Sequence, residues 1–338
     1  MRLTGPILVT AALAALVLMA TRCRSTSGPA TRQVVLFCSV DQPVAEPIIA
    51  AFERQTGIKV LARYDQEAAK TVGLVQRIRA EKDRPSADVF WSSEVFHTIL
   101  LAREGLLASY KPKQDWPAQY RGQADTWFGF ALRQRVMAYS TTRVAPDQAP
   151  KRLEDLLEAR WKGRVVMARP QFGTTGGDVA SWFAHYGREK ARSILRGLCD
   201  NGVQMVEGNS VAVRMVTTGQ ADVALTDNDD FFAYQASGAK IAMVPLDQGG
   251  DGALVIPNSA AIVKGAPHRA EAEELMAFLL GGKAEQLLAE SVSHNTPLVA
   301  KPPAGFEKYA IGKGLQVDYQ KVADELPGAL EAAREILK

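Results

Sequence analysis

The side chains best suited to chemistry sit in four polar loops, each at the end of an apolar, strand-like run. In "LTDNDDFF", Asp229 and Asp230 open a helical segment. Adjacent carboxylates there can simply complement the positive end of the helix. They can also hold a hard cation, accept hydrogen bonds from sugar hydroxyls, or pair with an ammonium group. In "FWSSEV", Ser92, Ser93 and Glu94 follow an apolar strand. Ser92 reads as a helix cap, and the second hydroxyl and the carboxylate exceed what a cap needs, which points Ser93 or Glu94 at a ligand. In "CSVDQP", Ser39 and Asp41 precede a helix, and Asp41 reads equally as its cap or as a ligand contact. In "ARPQFGTTGGD", Gly173, Thr174 and Thr175 form a strand-to-helix junction whose backbone N–H groups and hydroxyls can cradle an anion. The lysine of a nucleotide-phosphate loop is missing from it. Arg133 and Arg135, on "FGFALRQRVMAYS", are the nearest charge partners for such an anion.

Taken together, an anion cradle facing carboxylates suits a bifunctional small molecule. A phosphate- or phosphonate-bearing ligand is expected, its anion on Gly173–Thr175 near Arg133 and its hydroxyl or amino end on the aspartates. A capped helix start has the same geometry as the cradle, so the loop is anion-capable without being a specific signature.

Alternating strands and helices must carry these loops. Val34–Phe37 reads as a strand, followed by an amphipathic helix through Ile48, Ile49 and Phe52 that stops at Gly57, and by a second strand from Ile58 to Arg63. "ADVFWSS", "RVVMARP", "ADVALTD", "KIAMVPL" and "LVIPNSAAIVKG" read as further strands. "VFHTILLAREGLL", "RLEDLLEARWKG", "TTGGDVASWFAHYG", "SVAVRMVTTG" and "HRAEAEELMAFLLGG" read as helices, as does the chain from Asp324 onward. Ser210 is placed as the cap of its helix. The pattern predicts an α/β protein with mainly parallel sheets.

With 338 residues the chain exceeds what one core usually needs, so two lobes are expected. Charged residues make up 23% and the net charge is +3, with no basic cluster, which gives no case for nucleic acid. Arg2 followed by "PILVTAALAALVLMA" has the length of a signal-peptide core rather than a spanning helix. Cys23 stands where a lipoprotein cysteine would, while Arg22 occupies a position that favours a small residue. Export follows from either reading, and membrane anchoring through the N-terminus stays open. Residues 24–32 read as a tether. Cys38 and Cys199 are expected as two buried thiols rather than a disulfide. The four histidines fall in no metal-ligand spacing, and no nucleophile elbow is present, so a secreted hydrolase has no catalytic constellation behind it.

"AFERQTGIKV", "ADVFWSSE", "AREGLLASY", "WKGRVVMARP", "GNSVAVRMVTTGQADVALTD" and "DGALVIPNSAAIVKGAPHRAEAEELMAFLL" occur in an order and spacing that resembles the ferric-iron-type solute-binding proteins of ABC importers. The resemblance covers nearly the whole chain after Thr31. It implies a bilobal periplasmic-binding-protein fold of two sheets joined by two crossing strands, Phe128–Ser140 and Leu254–Val263. Lobe 1 would comprise residues 31–134 and 262–338, and lobe 2 residues 135–261, after a leader and tether over 1–30. It also implies a ligand cleft between the lobes, closure on binding, a monomer outside the cytoplasm, and permease subunits as partners. No resident cofactor is implied, and Fe3+ enters as a transported ligand. A sensor subunit would carry the same signature. Members often present an asparagine like Asn209 to the cleft. Ferric-binding members carry two adjacent tyrosines where this chain has Asp229 and Asp230, a glutamate at Ser93 and, in some, a histidine at Asp41. The iron ligand set of the family is therefore incomplete here, and ferric iron is the alternative to a phosphorylated cargo.

Overall fold

The computed structural model describes residues 32–65 and 71–337. The expected leader, tether and Cys23 lie outside the described residues. The strands are β1 (Gln33–Cys38), β2 (Lys59–Tyr64), β3 (Val89–Ser92), β4 (Leu107–Ala108), β5 (Phe128–Ser140), β6 (Val165–Ala168), β7 (Gln204–Val206), β8 (Val223–Asp227), β9 (Ile241–Pro245) and β10 (Val255–Val263). The α-helices are α1 (Gln42–Thr56), α2 (Val72–Ala80), α3 (Phe96–Arg103), α4 (Gly173–Tyr186), α5 (Arg188–Asp200), α6 (Asn209–Thr217), α7 (Asn228–Ala236), α8 (Arg269–Leu279), α9 (Gly282–Glu290) and α10 (Tyr319–Ile336).

One strand joins two sheets. The first sheet runs β2-β1-β3-β10-β5, with β4 also on β10. The second runs β5-β8-β6-β7, with β9 also on β5. Phe128–Gln134 of β5 pairs with β10, and Arg135–Tyr139 pairs with β8. The pairings β1–β2, β1–β3, β6–β7 and β6–β8 are parallel, whereas every pairing of β5 and β10 is antiparallel. All thirteen residues of β5 and all nine of β10 are buried. A strand covered on both faces reads as a continuous apolar run, which is how β5 reads apart from Arg133, Gln134 and Arg135.

The β5–β10 ladder is broken at Pro257. Proline has no N–H to donate, and within sheets it gathers at bulges. Here the register shifts between Pro257 and Asn258, and Ala131 of β5 has no partner on β10 and takes φ 45°. Its N–H donates instead to the carboxylate of Glu285 on α9, at 2.9 Å. Glu285 is fully buried and also accepts from the backbone N–H groups of Leu298, Val299 and Ala300, at 2.9, 2.9 and 2.8 Å. One carboxylate thus ties the bulge, α9 and the chain leaving α9 into one unit. The chain beyond is pinned by Thr296, whose backbone exchanges two hydrogen bonds with Leu132, at 2.7 and 2.8 Å.

The α4 helix meets α3 without spare room. A Cβ on Gly177 would come within 2.1 Å of the Phe96 ring. Only glycine allows this approach, which fixes the start of α4 against the first sheet's helices.

Three local readings differ from the structure. "RLEDLLEARWKG" forms 3-10 turns at Leu153–Leu157 and Ala159–Trp161, separated by Glu158 in extended conformation. The last helix begins at Tyr319 rather than Asp324. Cys199 is exposed, not buried, and among the described residues neither it nor buried Cys38 is in a disulfide. The α5 helix buries Ala191, Ile194, Leu195 and Leu198, so the next residue turns off the apolar stripe. Among the described residues, no helix is long and apolar enough to cross a membrane.

Replacing Glu285 by Ala removes the buried acceptor of four backbone N–H groups. The substitution is expected to cost on the order of 3–5 kcal/mol. Urea unfolding followed by tryptophan fluorescence should show a lowered midpoint with an unchanged slope.

Candidate functional site

The site forms where β5 passes from one sheet to the other. Arg133 and Arg135 are both buried there, and each needs carboxylates close by. The end of β8 supplies Asp227. Its Oδ1 accepts from Arg135 Nη1 at 2.7 Å, and its Oδ2 lies 3.4 Å from Arg133 Nη1. The first turn of α7 supplies Asp229, whose Oδ2 accepts from Arg133 Nη1 at 3.0 Å. The α4 helix supplies Asp178, which accepts from Arg135 Nε at 3.0 Å. Arg133 Nη2 donates to the Ser93 carbonyl oxygen, reaching across to the end of β3.

Neutral groups complete the network. Thr174 donates its hydroxyl hydrogen to Asp227 Oδ2. Asn209 Nδ2 donates to Thr174 Oγ1 at 2.8 Å and to Asp227 Oδ2 at 3.2 Å, and its Oδ1 accepts from Thr175 Oγ1 at 3.1 Å. Asn228 Oδ1 accepts from the Gln134 N–H at 2.9 Å, which holds the start of α7 against β5.

Burial opposes ionisation of Asp227, but Arg135 and Arg133 outweigh it and hold this carboxyl below the usual carboxylate range. Burial pushes Asp229 up, and the Asp227 charge adds to the push, against the pull of Arg133. Burial likewise raises Asp178 despite Arg135. The two neighbouring carboxyls on β8 and α7 are therefore driven apart, Asp227 toward permanent charge and Asp229 toward its protonated form.

The network floors a tight cleft of about 30 Å³ that is open to solvent. Its lining includes Asp41 and Ser93 from the first sheet's loops, Arg133 from β5, and Gly173, Thr174, Asn209, Asp229 and Asp230 from the second sheet's loops. Eight of the eleven residues singled out in the sequence therefore meet in one place. The remaining three have local work. Ser39 is buried; its hydroxyl accepts from the Ser93 N–H at 3.0 Å and from Thr71 Oγ1 at 3.0 Å. Glu94 accepts from the Phe96 and His97 N–H groups at 2.6 and 3.2 Å, so it caps α3. Thr175 is buried behind Asn209.

Asp41 makes no side-chain cap on α1 and lines the cleft instead. Ser210 is the second residue of α6, and Gly208 stands at the cap position. Sequence reading missed Asp227, Asp178 and Glu207. Asp227 opens the acidic run "DNDD", but as the last residue of a strand it read as an ending rather than a ligand. Nothing about Asp178, inside a helix, distinguishes it from a surface acid. Glu207 lines the cleft two residues before Asn209.

The lining carries five carboxylates, Asp41, Glu207, Asp227, Asp229 and Asp230, against one guanidinium, Arg133. The Arg135–Asp178 pair behind it adds no net charge. Asp227, Asp229 and Asp230 each bring a carboxylate oxygen within 4.8 Å of the others. Such a cleft attracts cations and repels uncompensated anions.

Replacing Asp227 by Asn strips both arginines of a charged partner and should cost on the order of 3 kcal/mol near neutral pH. Because its folded pKa is depressed, Asp227 stabilises above about pH 4 and loses that contribution as pH falls through its lower folded value. The acid limb of a melting-temperature profile should accordingly be flatter for Asp227→Asn than for the parent. Parallel profiles of unequal height would show that the carboxylate is not the titrating element.

Comparison with known proteins agrees with this architecture. Residues 34–291 match the family model described as bacterial extracellular solute-binding protein. The chain is 26% identical over 321 residues to the iron uptake protein A1 of Synechocystis sp., covering 90% of this chain and 86% of that protein. It is 27% identical over 268 residues to the major ferric iron-binding protein of Neisseria meningitidis, covering 77% and 79%. The crystal structure of iron-bound HitA from Pseudomonas aeruginosa superposes with a TM-score of 0.79 at 26% identity, covering 90% of this chain and 99% of that one. With two sheets sharing a crossing strand, and a polar cleft where they meet, the chain belongs to the bacterial extracellular solute-binding proteins and is the solute-binding component of an ABC importer.

Proposed function

We propose that the cargo of this importer component is ferric iron, held by carboxylates. The observation that carries the reading is the convergence of Asp227, Asp229 and Asp230 within 4.8 Å in a cleft whose lining is strongly acidic. Ferric iron is a small, hard, highly charged cation, and carboxylate oxygen is a matching donor. The roles of the three acids differ. Both oxygens of Asp227 are engaged by arginine, threonine or asparagine, so Asp227 positions the others. Asp229 gives Oδ2 to Arg133, while its buried Oδ1 has no partner among the described residues. That oxygen, Asp230 and Asp41 across the cleft are the proposed ligands. The named ferric-iron relatives support the same cargo.

The lining weighs against a phosphate- or phosphonate-bearing ligand. Arg133 spends both terminal nitrogens on Asp227, Asp229 and Ser93, and the Thr174 hydroxyl is given to Asp227. An incoming phosphate would meet Gly173 and the helix start, but also five carboxylates.

Titration calorimetry with ferric citrate is expected to give one site per chain. The loaded protein should show no phenolate-to-iron charge-transfer band, because no tyrosine lines the cleft among the described residues. Asp229→Asn with Asp230→Asn should weaken binding at least about a hundredfold, two charged interactions being lost. Acidification should release the cation, because protons compete with it for the carboxylates. Silence with ferric citrate and a clear response to inorganic phosphate, a hexose phosphate or aminoethylphosphonate would reverse the assignment.

A further inference from the structure

The C-terminal half of α4 borders another cavity, which shares no lining residue with the cleft. Thr174, Asp178, Trp182 and Tyr186 follow one another at four-residue spacing and lie on one face of the helix. Thr174 lines the cleft, and the other three line the second cavity. That cavity measures about 30 Å³, room for a small headgroup and its methyl but not for a sugar or nucleotide. Its remaining walls come from the 3-10 turn at Leu153–Leu157, which brings Glu154, and from the chain entering β10, which brings Asp247 and Leu254.

The lining carries three carboxylates, Glu154, Asp178 and Asp247, and no cationic side chain. Arg135 takes one oxygen of Asp178, and Lys190 reaches Glu154 from outside the lining at 3.1 Å. The Asp247 carboxylate has only the Asp251 N–H, at 2.7 Å, among the described residues. Its position is built. Asp247 takes φ 48°, where a non-glycine residue is held only by its surroundings. Its N–H donates to the Lys151 carbonyl oxygen at 2.8 Å, and its own carbonyl oxygen accepts from Gly250 and Gly252 at 2.9 and 3.0 Å. Most of the remaining lining is aromatic or aliphatic, chiefly Trp182, Tyr186, Leu254 and Leu315. Burial, and then the charges of Glu154, Asp247, Asp251 and Asp178, push the Tyr186 phenol up to about 12, so a neutral ring stands among carboxylates. A metal ion would want oxygen on every side. Carboxylates beside ring and aliphatic carbon suit an alkylammonium ion, whose charge meets oxygen and ring faces and whose methyl meets carbon.

We propose that this cavity binds a small organic ammonium ion, and that its occupancy opposes cation binding in the cleft. The first part stands on the cavity alone, and the second rests on the cation reading of the cleft. Asp178 is the shared element. It lines the cavity and holds Arg135 Nε, while Arg135 Nη1 holds Asp227 in the lining of the cleft. Leu254, in the cavity wall, also accepts the Arg135 backbone N–H at 3.0 Å. An ammonium ion drawing on Asp178 leaves Arg135 to lean more on Asp227, and it adds a positive charge behind the cleft. Both effects lower the affinity of the cleft for a cation, and linkage makes the opposition mutual.

Saturation-transfer NMR on the methyl signal of methylammonium chloride reads the cavity on the purified protein. So small a ligand is limited to a dissociation constant of about 10 mM. Transfer is expected to methylammonium and not to methanol, which is similar in size and uncharged. Glu154→Gln with Asp247→Asn should weaken methylammonium about tenfold, two charges being lost. Tyr186→Leu, which leaves the carboxylates in place, should weaken it several-fold. No transfer to methylammonium, transfer retained in both variants, or equal displacement by potassium would overturn the site, the last two because they mark a general acidic surface. Aqueous terbium(III), read by luminescence, reports the cleft. Saturating methylammonium should weaken terbium at least about fivefold relative to sodium chloride of equal ionic strength. The Glu154→Gln, Asp247→Asn variant should lose that difference. Terbium affinity that ignores methylammonium overturns the coupling. If the parent protein takes neither terbium nor ferric citrate, the cargo reading fails on its own, and the methylammonium result still decides the cavity.

Discussion

Two guanidiniums two residues apart on a strand with no exposed residue must be neutralised where they stand. Removing one partner of such a pair leaves an uncompensated buried charge, which costs several kcal/mol. That requirement organises the centre of this protein. It draws the end of β8, the first turn of α7 and the body of α4 onto β5, because Asp227, Asp229 and Asp178 ride on them. Asn209 and Thr174 then follow, since Asp227 still has an oxygen to satisfy. The acidic cleft is what remains when arginines on one strand are answered by more carboxylates than they can use.

The fold contains a second buried carboxylate that is stabilised in another way. Glu285 meets no cation among the described residues; four backbone N–H groups surround it. Those dipoles are fixed by chain geometry, so the arrangement serves architecture alone. Asp227 is held by side-chain charges, one of which, Arg133, also pairs with Asp229 in the lining of the cleft. A change at Asp229 is therefore felt at Arg133 and Asp227, whereas nothing that binds in the cleft reaches Glu285 directly.

Much of this was readable in the chain. Strand ends carrying hydroxyls, acids or glycines ahead of amphipathic helices marked the four loops, and β5 stood out as a long apolar run interrupted by arginines. Asp41, Ser93, Arg133, Gly173, Thr174, Asn209, Asp229 and Asp230 do line one cleft. What the chain could not disclose was who bonds to whom. Glu94 looked like a ligand and is a cap; Arg133 looked like an anion's partner and is committed to aspartates. These outcomes are decided by neighbours far away in sequence. The resemblance to ferric-iron binders located the Asp pair, and the surplus of acids around it was visible only once the loops were together.

The bulge at Ala131 has an effect on parity. Residues of a strand alternate between faces with period two, and paired residues on adjacent strands share a face. On β10 the alternation is unbroken, with Ala260, Asn258 and Ile256 on one side. Their partners on β5 are Phe128, Phe130 and Arg133. Even-numbered residues of β5 occupy that side before Ala131, and odd-numbered ones after it. A single extra residue thus converts an aromatic stripe into a stripe of arginines along the same side of one strand, packing side chains in the first sheet and charge at the junction with the second. Pairing Ala131 into the ladder, so that no residue is left over, would leave the composition of β5 untouched and present Leu132 and Gln134 where Arg133 and Arg135 now stand. Whether this strand is a wall or a binding surface is, in that sense, a matter of counting.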